Sequence, residues 1–332
     1  MATASSRRAV LRAGVAAALA VVAPMPTRAR PAGGKGKRLA YLVSDLRIPF
    51  WDIMWRGIRS RAEELGYDIT VFSAENNARD EFANVAAAIR AGVDGILLSP
   101  TNSAAAAAIL KLAKDAGIPV VIADIGTDGG DYVSYISSDN RDGAYRIGRV
   151  LAAKLKARGW QGGRVGIVAI PQKRDNGQAR TAGFMQAMDE AGIKGGGLRQ
   201  QVDFSYRETF EHARDLLAAA PDIRAIWLQG SDRYQGALDA IAAAGREGQV
   251  LLVTFDAEPE FLDLIPRGVL AGAGMQQPFL MGEMAVATMD RHLRGMPVER
   301  EQKLPVLAIS DDNIEAEMQT IRRNVLGMPP GP

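Results

Sequence analysis

"RLAYLVSDLRIPFWDIMWRG" (Arg38–Gly57) sets an apolar run, Leu39–Val43, against a polar turn and then a stretch of helical period. The run reads as a buried strand and Trp51–Leu65 as a helix. The turn between them has an unusual content, with Phe50 and Trp51 beside Asp45, Arg47 and Pro49. Connecting turns run over the surface, where large rings gain little. The two rings therefore either plug the core or face a ligand.

The same strand-then-helix unit recurs along the chain. Further strand candidates are "ITVFS", "GILLS", "PVVIA", "RVGIVAI", "AIWLQ" and "QVLLVTF". Amphipathic stretches lie between them: Phe82–Ala91, Ala104–Ala116, Asp142–Lys156, Ala179–Ala191, Arg207–Ala219 and Tyr234–Ala244. Several end in Gly, which supplies the left-handed residue that stops a helix. Continuously apolar strands alternating with helices predict parallel sheets covered on both faces. The pattern runs to about Ile122, is interrupted by "DIGTDGGDYVSYISSDN", and restarts. The expected fold is therefore α/β, with two Rossmann-like lobes of parallel sheet and a cleft between them. Ligands of such sheets bind beyond the carboxyl ends of the strands.

Composition excludes several functions. The 332 residues are 47% hydrophobic and 23% charged, ordinary for a globular chain. The formal charge of +2 becomes −2 once Arg7, Arg8, Arg12 and Arg28 are set aside, so nothing points to nucleic acid. Those arginines lie in residues 1–29, which read as a cleavable export signal: a basic start, a short Ala/Val/Leu run and small residues near Ala29. "SRRAVLR" (Ser6–Arg12) resembles a twin-arginine signal, with Val10 where that pattern usually has Phe. With no cysteine there is no disulfide, metal thiolate, cysteine nucleophile or lipid-bearing cysteine.

The residues right after each strand carry the site. They are Ser44-Asp45, the stretch Ser99–Asn102, Asp124, Pro171-Gln172, the stretch Gly230–Asp232, and Asp256. They are small, polar and acidic, and suit a neutral polyhydroxylated ligand that needs donors and acceptors but no counter-charge. Phe50, Trp51 and Phe204 would stack on the apolar face of a sugar ring. A strand-end aspartate is also a good helix cap, Arg180 could sit on a helix surface, and the rings could be core. Catalysis finds little support: His212 and His292 fall on predicted helices as solvated residues, and no metal or cofactor site is expected. "GIKGGGL" and "KARGWQGGR" read as turns, and the carboxylates of "DEFAN" as caps or solvated groups.

In order and spacing, "VSDLRIPFW", "ENNARDEFANV", "GILLSPTNSAA", "AGIPVVIAD", "ISSDNRDGA", "ARTAGFMQAM", "FDAEPEF" and "MQQPFLMGEMAV" resemble the periplasmic sugar-binding proteins of the ribose-binding type. The resemblance implies the type I periplasmic binding protein fold, with lobes of 38–138 plus 277–304 and 139–276 plus 305–324 joined by a multi-strand hinge. It also implies that Ser44, Phe50 and Trp51 line the first loop, with the two rings sandwiching the sugar against Phe204. Asp124 and Asp256 would accept from hydroxyls, and Arg180 and Gln276 would donate. Asp45, Arg47, Ser99, Ser231 and Asp232 are further candidates near the same loops. Ile48, Ser99, Ile125 and Gly230 depart from the family pattern where it has polar contacts, which are lost or shortened here, and this argues against ribose itself. The implied role is a soluble, monomeric periplasmic protein that hands a small carbohydrate or polyol to an ABC permease. The same fold also serves in sensors that signal to a membrane histidine kinase.

Overall fold

The structure, a computed structural model, describes residues 36–329, so the expected export signal at 1–29 lies outside the described residues. The first half runs β1 (Arg38–Val43), α1 (Pro49–Leu65), β2 (Asp68–Ser73), α2 (Ala78–Ala91), β3 (Gly95–Ser99), α3 (Ser103–Asp115), β4 (Val120–Ala123) and β5 (Ser134–Ser138). Next come α4 (Asn140–Ala157), β6 (Arg164–Ala169), α5 (Asp175–Glu190), β7 (Lys194–Gln200), α6 (Tyr206–Ala219) and β8 (Ile223–Leu228). They are followed by α7 (Tyr234–Ala243), β9 (Leu251–Phe255), α8 (Phe261–Leu264) and β10 (Gly272–Met275). The chain closes with α9 (Pro278–Leu293), β11 (Glu301–Leu304), β12 (Leu307–Ile309), α10 (Ile314–Thr320) and a π-helical turn, Ile321–Val325.

Two six-stranded sheets result. One is ordered β11-β5-β4-β3-β1-β2 and is parallel throughout. The other is ordered β12-β10-β9-β8-β6-β7, with only β12 antiparallel. The orders correspond strand for strand, so each half repeats the same doubly wound unit. Along β1, Leu39, Tyr41 and Val43 enter one apolar cluster while Ala40 and Leu42 enter another on the opposite face. The expected α/β class with parallel sheets is the fold observed.

The chain passes between the sheets near three places: after β5, between β10 and α9, and between β11 and β12. Backbone caps set the helix ends. Pro49 starts α1 without losing a needed donor, and Gly66 ends it at φ +77°. Asn77, Asn102, Asp139 and Ser205 each accept from a backbone N–H of the turn they begin.

Two expectations need correction. "GIKGGGL" is largely strand: Lys194–Gln200 forms the edge strand β7, mostly exposed and paired only with β6. A largely exposed edge strand with one neighbour needs no apolar run, and its glycines let it lie close to Arg164, Ile223 and Leu216. The interrupting loop likewise contains β5, whose Ser-rich sequence hides a strand held between β4 and β11.

Helix pairs at matching places are packed to backbone contact. A Cβ on Gly57 of α1 would lie 2.1 Å from the carbonyl oxygen of Phe279 in α9, and one on Gly183 of α5 would lie 2.0 Å from that of Arg141 in α4. Gly57→Ala and Gly183→Ala should each destabilise the fold by about 1–3 kcal/mol or more in urea denaturation. Gly195→Ala, on the open edge strand, should stay within about 0.5 kcal/mol of the parent.

Candidate functional site

The carboxyl ends of strands from both sheets line one cavity of about 70 Å³. The first sheet's side contributes Ile48, Phe50 and Trp51 after β1, and Asp124 and Ile125 after β4. The second contributes Ile170, Arg174, Asn176 and Arg180 from the region of β6 and α5, and Phe204 after β7. Gln229–Asp232, Asp256, Glu258 and Gln276 follow β8, β9 and β10.

Asp124 and Asp256 occupy corresponding positions after β4 and β9, and both adopt φ +68°. That region is costly for a residue with a Cβ and is held here by the ladder. Asp124 N donates to Ile136 O at 2.9 Å, and Asp256 N donates to Gly274 O at 2.8 Å. Neither aspartate caps a helix, since the next helices are capped by Asp139 and begun by Glu260. Phe204 is similarly left-handed at φ +52°.

Arg180 is not a surface residue: it is 3% exposed. Its Nε donates to Asn140 Oδ1 and its Nη1 to the carbonyl of Gln229, both at 2.8 Å. Nη1 lies 3.6 Å from Asp256 Oδ2, and the guanidinium sits 4.0 Å over the Phe255 ring. Gln276 Nε2 donates to Asp256 Oδ1 at 2.7 Å, and Ser231 Oγ donates to Glu258 Oε1 at 2.7 Å. Asp232 pairs with Arg233 at 2.9 Å. Trp51 serves two roles, since it is buried in the core cluster with Tyr41 and Met54 and also lines the cavity, edge-to-face with Phe50 at 4.9 Å.

Ser44, Asp45, Arg47 and Ser99 are not among the lining residues, and neither are the strand-end residues Pro100, Thr101, Asn102, Pro171 and Gln172. Asp45 and Arg47 form a bidentate pair at 2.8 Å with Arg47 exposed. Ser44 Oγ is 3.5 Å from Asn76 Oδ1. Ser99 Oγ accepts from Tyr41 OH at 3.1 Å inside the core. The other departures, Ile48, Ile125 and Gly230, do line the cavity. Sequence reading missed Ile170, Arg174, Asn176, Gln229 and Glu258. Arg174 reaches across to the loops after β2 and β3, where Nη2 donates to Asn76 Oδ1 at 3.2 Å and to Thr101 O at 3.0 Å. Glu81 of "DEFAN" is buried rather than solvated, and accepts from the backbone N–H and the Oγ1 of Thr101.

Burial dominates the electrostatics. It pushes Asp124 up to about 6 and Glu258 up to about 7, and raises Asp232 and Asp256 as well, with Arg180 opposing the rise at Asp124 and Asp256. Among the described residues no group of three or more His, Cys, Asp or Glu could hold a metal ion, and neither histidine lines the cavity. No helix among them is long and apolar enough to cross a membrane.

The model of the periplasmic binding protein domain family matches residues 39–297. The chain is a type I periplasmic binding protein. It is 32% identical over 274 residues to the ribose import binding protein RbsB of Haemophilus influenzae, covering 82% of this chain and 91% of the relative. A carbohydrate transporter solute-binding protein from Agrobacterium radiobacter, solved with D-arabinose, superposes with a TM-score of 0.79 at 22% identity, covering 87% of this chain and 98% of that one. An Actinobacillus succinogenes periplasmic solute-binding protein solved with D-allose gives a TM-score of 0.77 at 22% identity, covering 84% and 99%. In this periplasmic binding protein the cavity lies at the strand ends of both sheets, where the doubly wound topology puts a ligand site.

Glu258 gives the apo protein a pH-dependent stability. Its folded value lies above that of the unfolded chain, so its contribution is complete below about pH 4.5 and is lost as pH rises to about 7. Glu258→Gln should flatten that decline and be more stable than the parent by about 1–3 kcal/mol near pH 8, but not near pH 4, in urea titrations.

Proposed function

We propose that the chain captures one small neutral carbohydrate or polyol in this cleft and delivers it to an ABC permease in the periplasm. The observation that carries the reading is the lining itself. Aromatic rings from both sheets border a space of about 70 Å³, together with carboxylates, three amides and two guanidinium groups. Rings favour the C–H faces of a sugar, and the carboxylates accept from its hydroxyls with charge-assisted bonds. Charge balance favours a neutral ligand. Asp124 and Asp256 are set against Arg174 and Arg180, Asp232 has Arg233, and burial leaves Glu258 only partly ionised near neutrality.

The named relatives are sugar-binding proteins, in keeping with this reading. The lobes are taken as 38–138 plus 277–304 and 139–276 plus 305–324, hinged at the three passages and closing on ligand. Arg174 would latch the closed form through its contacts with Asn76 and Thr101. Residues 1–29 would direct export, and the lack of cysteine leaves the mature protein without a lipid anchor. It would act as a monomer, without a cofactor and without turnover. No observation favours a sensor of the same fold over import.

A thermal-shift screen of neutral monosaccharides and polyols against amino acids and amine oxides tests this. A cognate sugar at a hundredfold its Kd adds about 2.7 kcal/mol and should raise Tm by about 5 °C or more. Shifts confined to amino acids or amine oxides, or no shift at all, would refute the ligand class. Phe204→Ala and Phe50→Ala should each weaken sugar affinity by about ten- to a hundredfold in calorimetry while the melting curve stays cooperative.

A further inference from the structure

The two walls of the cavity differ in chemistry. From the first sheet come Ile48, Phe50, Trp51, Ile125 and Asp124, and only Asp124 carries a carboxylate, amide, hydroxyl or guanidinium. The other four belong to, or pack against, one and the same apolar cluster, so this wall is a continuous extension of the first core. The second sheet supplies most of the polar groups, Arg180, Gln229, Ser231, Asp256, Glu258 and Gln276, beside the apolar Ile170 and Phe204.

Much of that polar wall is already committed internally. Asp256 is bonded by Gln276, Glu258 by Ser231, and Arg180 by its bonds to Asn140 and Gln229. The buried lining atoms without a partner are the acceptors Asp124 Oδ1 and Gln276 Oε1 and the donor Arg174 Nε, apart from Asp232 Oδ2, which faces Arg233. The complementary ligand presents hydroxyls to the second-sheet wall and to Asp124, and carbon to Ile48 and Ile125. A sugar with hydroxyls all round would lose water from those facing Ile48 and Ile125 and gain no bond there.

We propose that the ligand is a deoxy sugar, its methyl or methylene edge against Ile48 and Ile125 and its hydroxyls toward Asp124, Gln276 and Arg174. This rests on the carbohydrate reading above and narrows it. An apolar pocket discriminates against an added hydroxyl by about a hundredfold at most, so the preference is measurable rather than absolute.

Calorimetry on the purified protein with matched pairs tests it: D-ribose with 2-deoxy-D-ribose, L-galactose with L-fucose, D-galactose with D-fucose, and L-mannose with L-rhamnose. The tightest ligand should be a deoxy member, bound about tenfold or more above its parent. Ile48→Asn, at a half-buried position, should remove most of that preference, and Ile48→Leu should keep it. Parents bound as tightly as, or more tightly than, their deoxy partners would overturn the deoxy assignment and leave the carbohydrate reading standing. So would an Ile48→Asn protein that melts cooperatively with its preference unchanged. Should Ile48→Asn fail to fold, the wild-type pairs decide by themselves. Absence of binding by every sugar would overturn both.

Discussion

The buried guanidinium of Arg180 is the interaction on which the site depends. It draws together the start of α4 through Asn140, the end of β8 through the Gln229 carbonyl, and the end of β9 through Asp256. A buried cation is tolerable only when its donors are used, and here they bind polar groups that would otherwise be stranded as well. Asp256 hands the network on to Gln276, at the passage from β10 to α9. Its neighbour Gln277 donates to the carbonyl of Pro305, between β11 and β12. Asn140 in turn donates to Ser138 O, at the passage after β5. One polar chain thus borders the ligand space and touches two of the three places where the backbone moves between sheets, while Gln277, next along the backbone, bonds the third. In the proposed mode of binding, ligand contact with Asp256 or Gln276 would thereby reach the passages between the sheets.

The second constraint is the repeated strand end. Asp124 and Asp256 follow equivalent strands with the same left-handed backbone, so each half offers a strand-end carboxylate to a common cavity. Two like charges in one small space raise each other's proton affinity beyond what burial does alone, as the influence of Asp256 on Asp124 reflects. Arg180 and Arg174 hold the opposite tendency. In the proposed mode of binding, stability would be given up for a surface ready to accept hydroxyls.

Legibility in the sequence followed the physics of burial. Central strands buried on both faces are continuous apolar runs and were readable, as were the carboxylates that end β4 and β9. Edge elements were not: β7 is rich in glycine, β11 reads "EQKL", and β12 is three residues long, because a strand with one neighbour and a wet face has little compositional signature. Strand-end position alone also overreached, since Ser99 ends β3 yet turns into the core toward Tyr41. Arg174, Glu81 and Glu258 were missed because each takes its partners from segments far along the chain or from loop turns with no period to read. "PQKRDN" gives no local hint that Arg174 will reach Thr101, 73 residues away.

In the proposed mode of binding, the two strand-end edges enclose a small neutral sugar between rings and buried acids. A crystal structure with the tightest-binding monosaccharide tests it most directly. Density should lie between Phe204 and the Phe50–Trp51 pair, with hydroxyls within hydrogen-bond reach of Asp124 Oδ1 and Gln276 Oε1. A sugar bound on another surface, or a cleft whose aspartates and rings turn away from it, would contradict this mode.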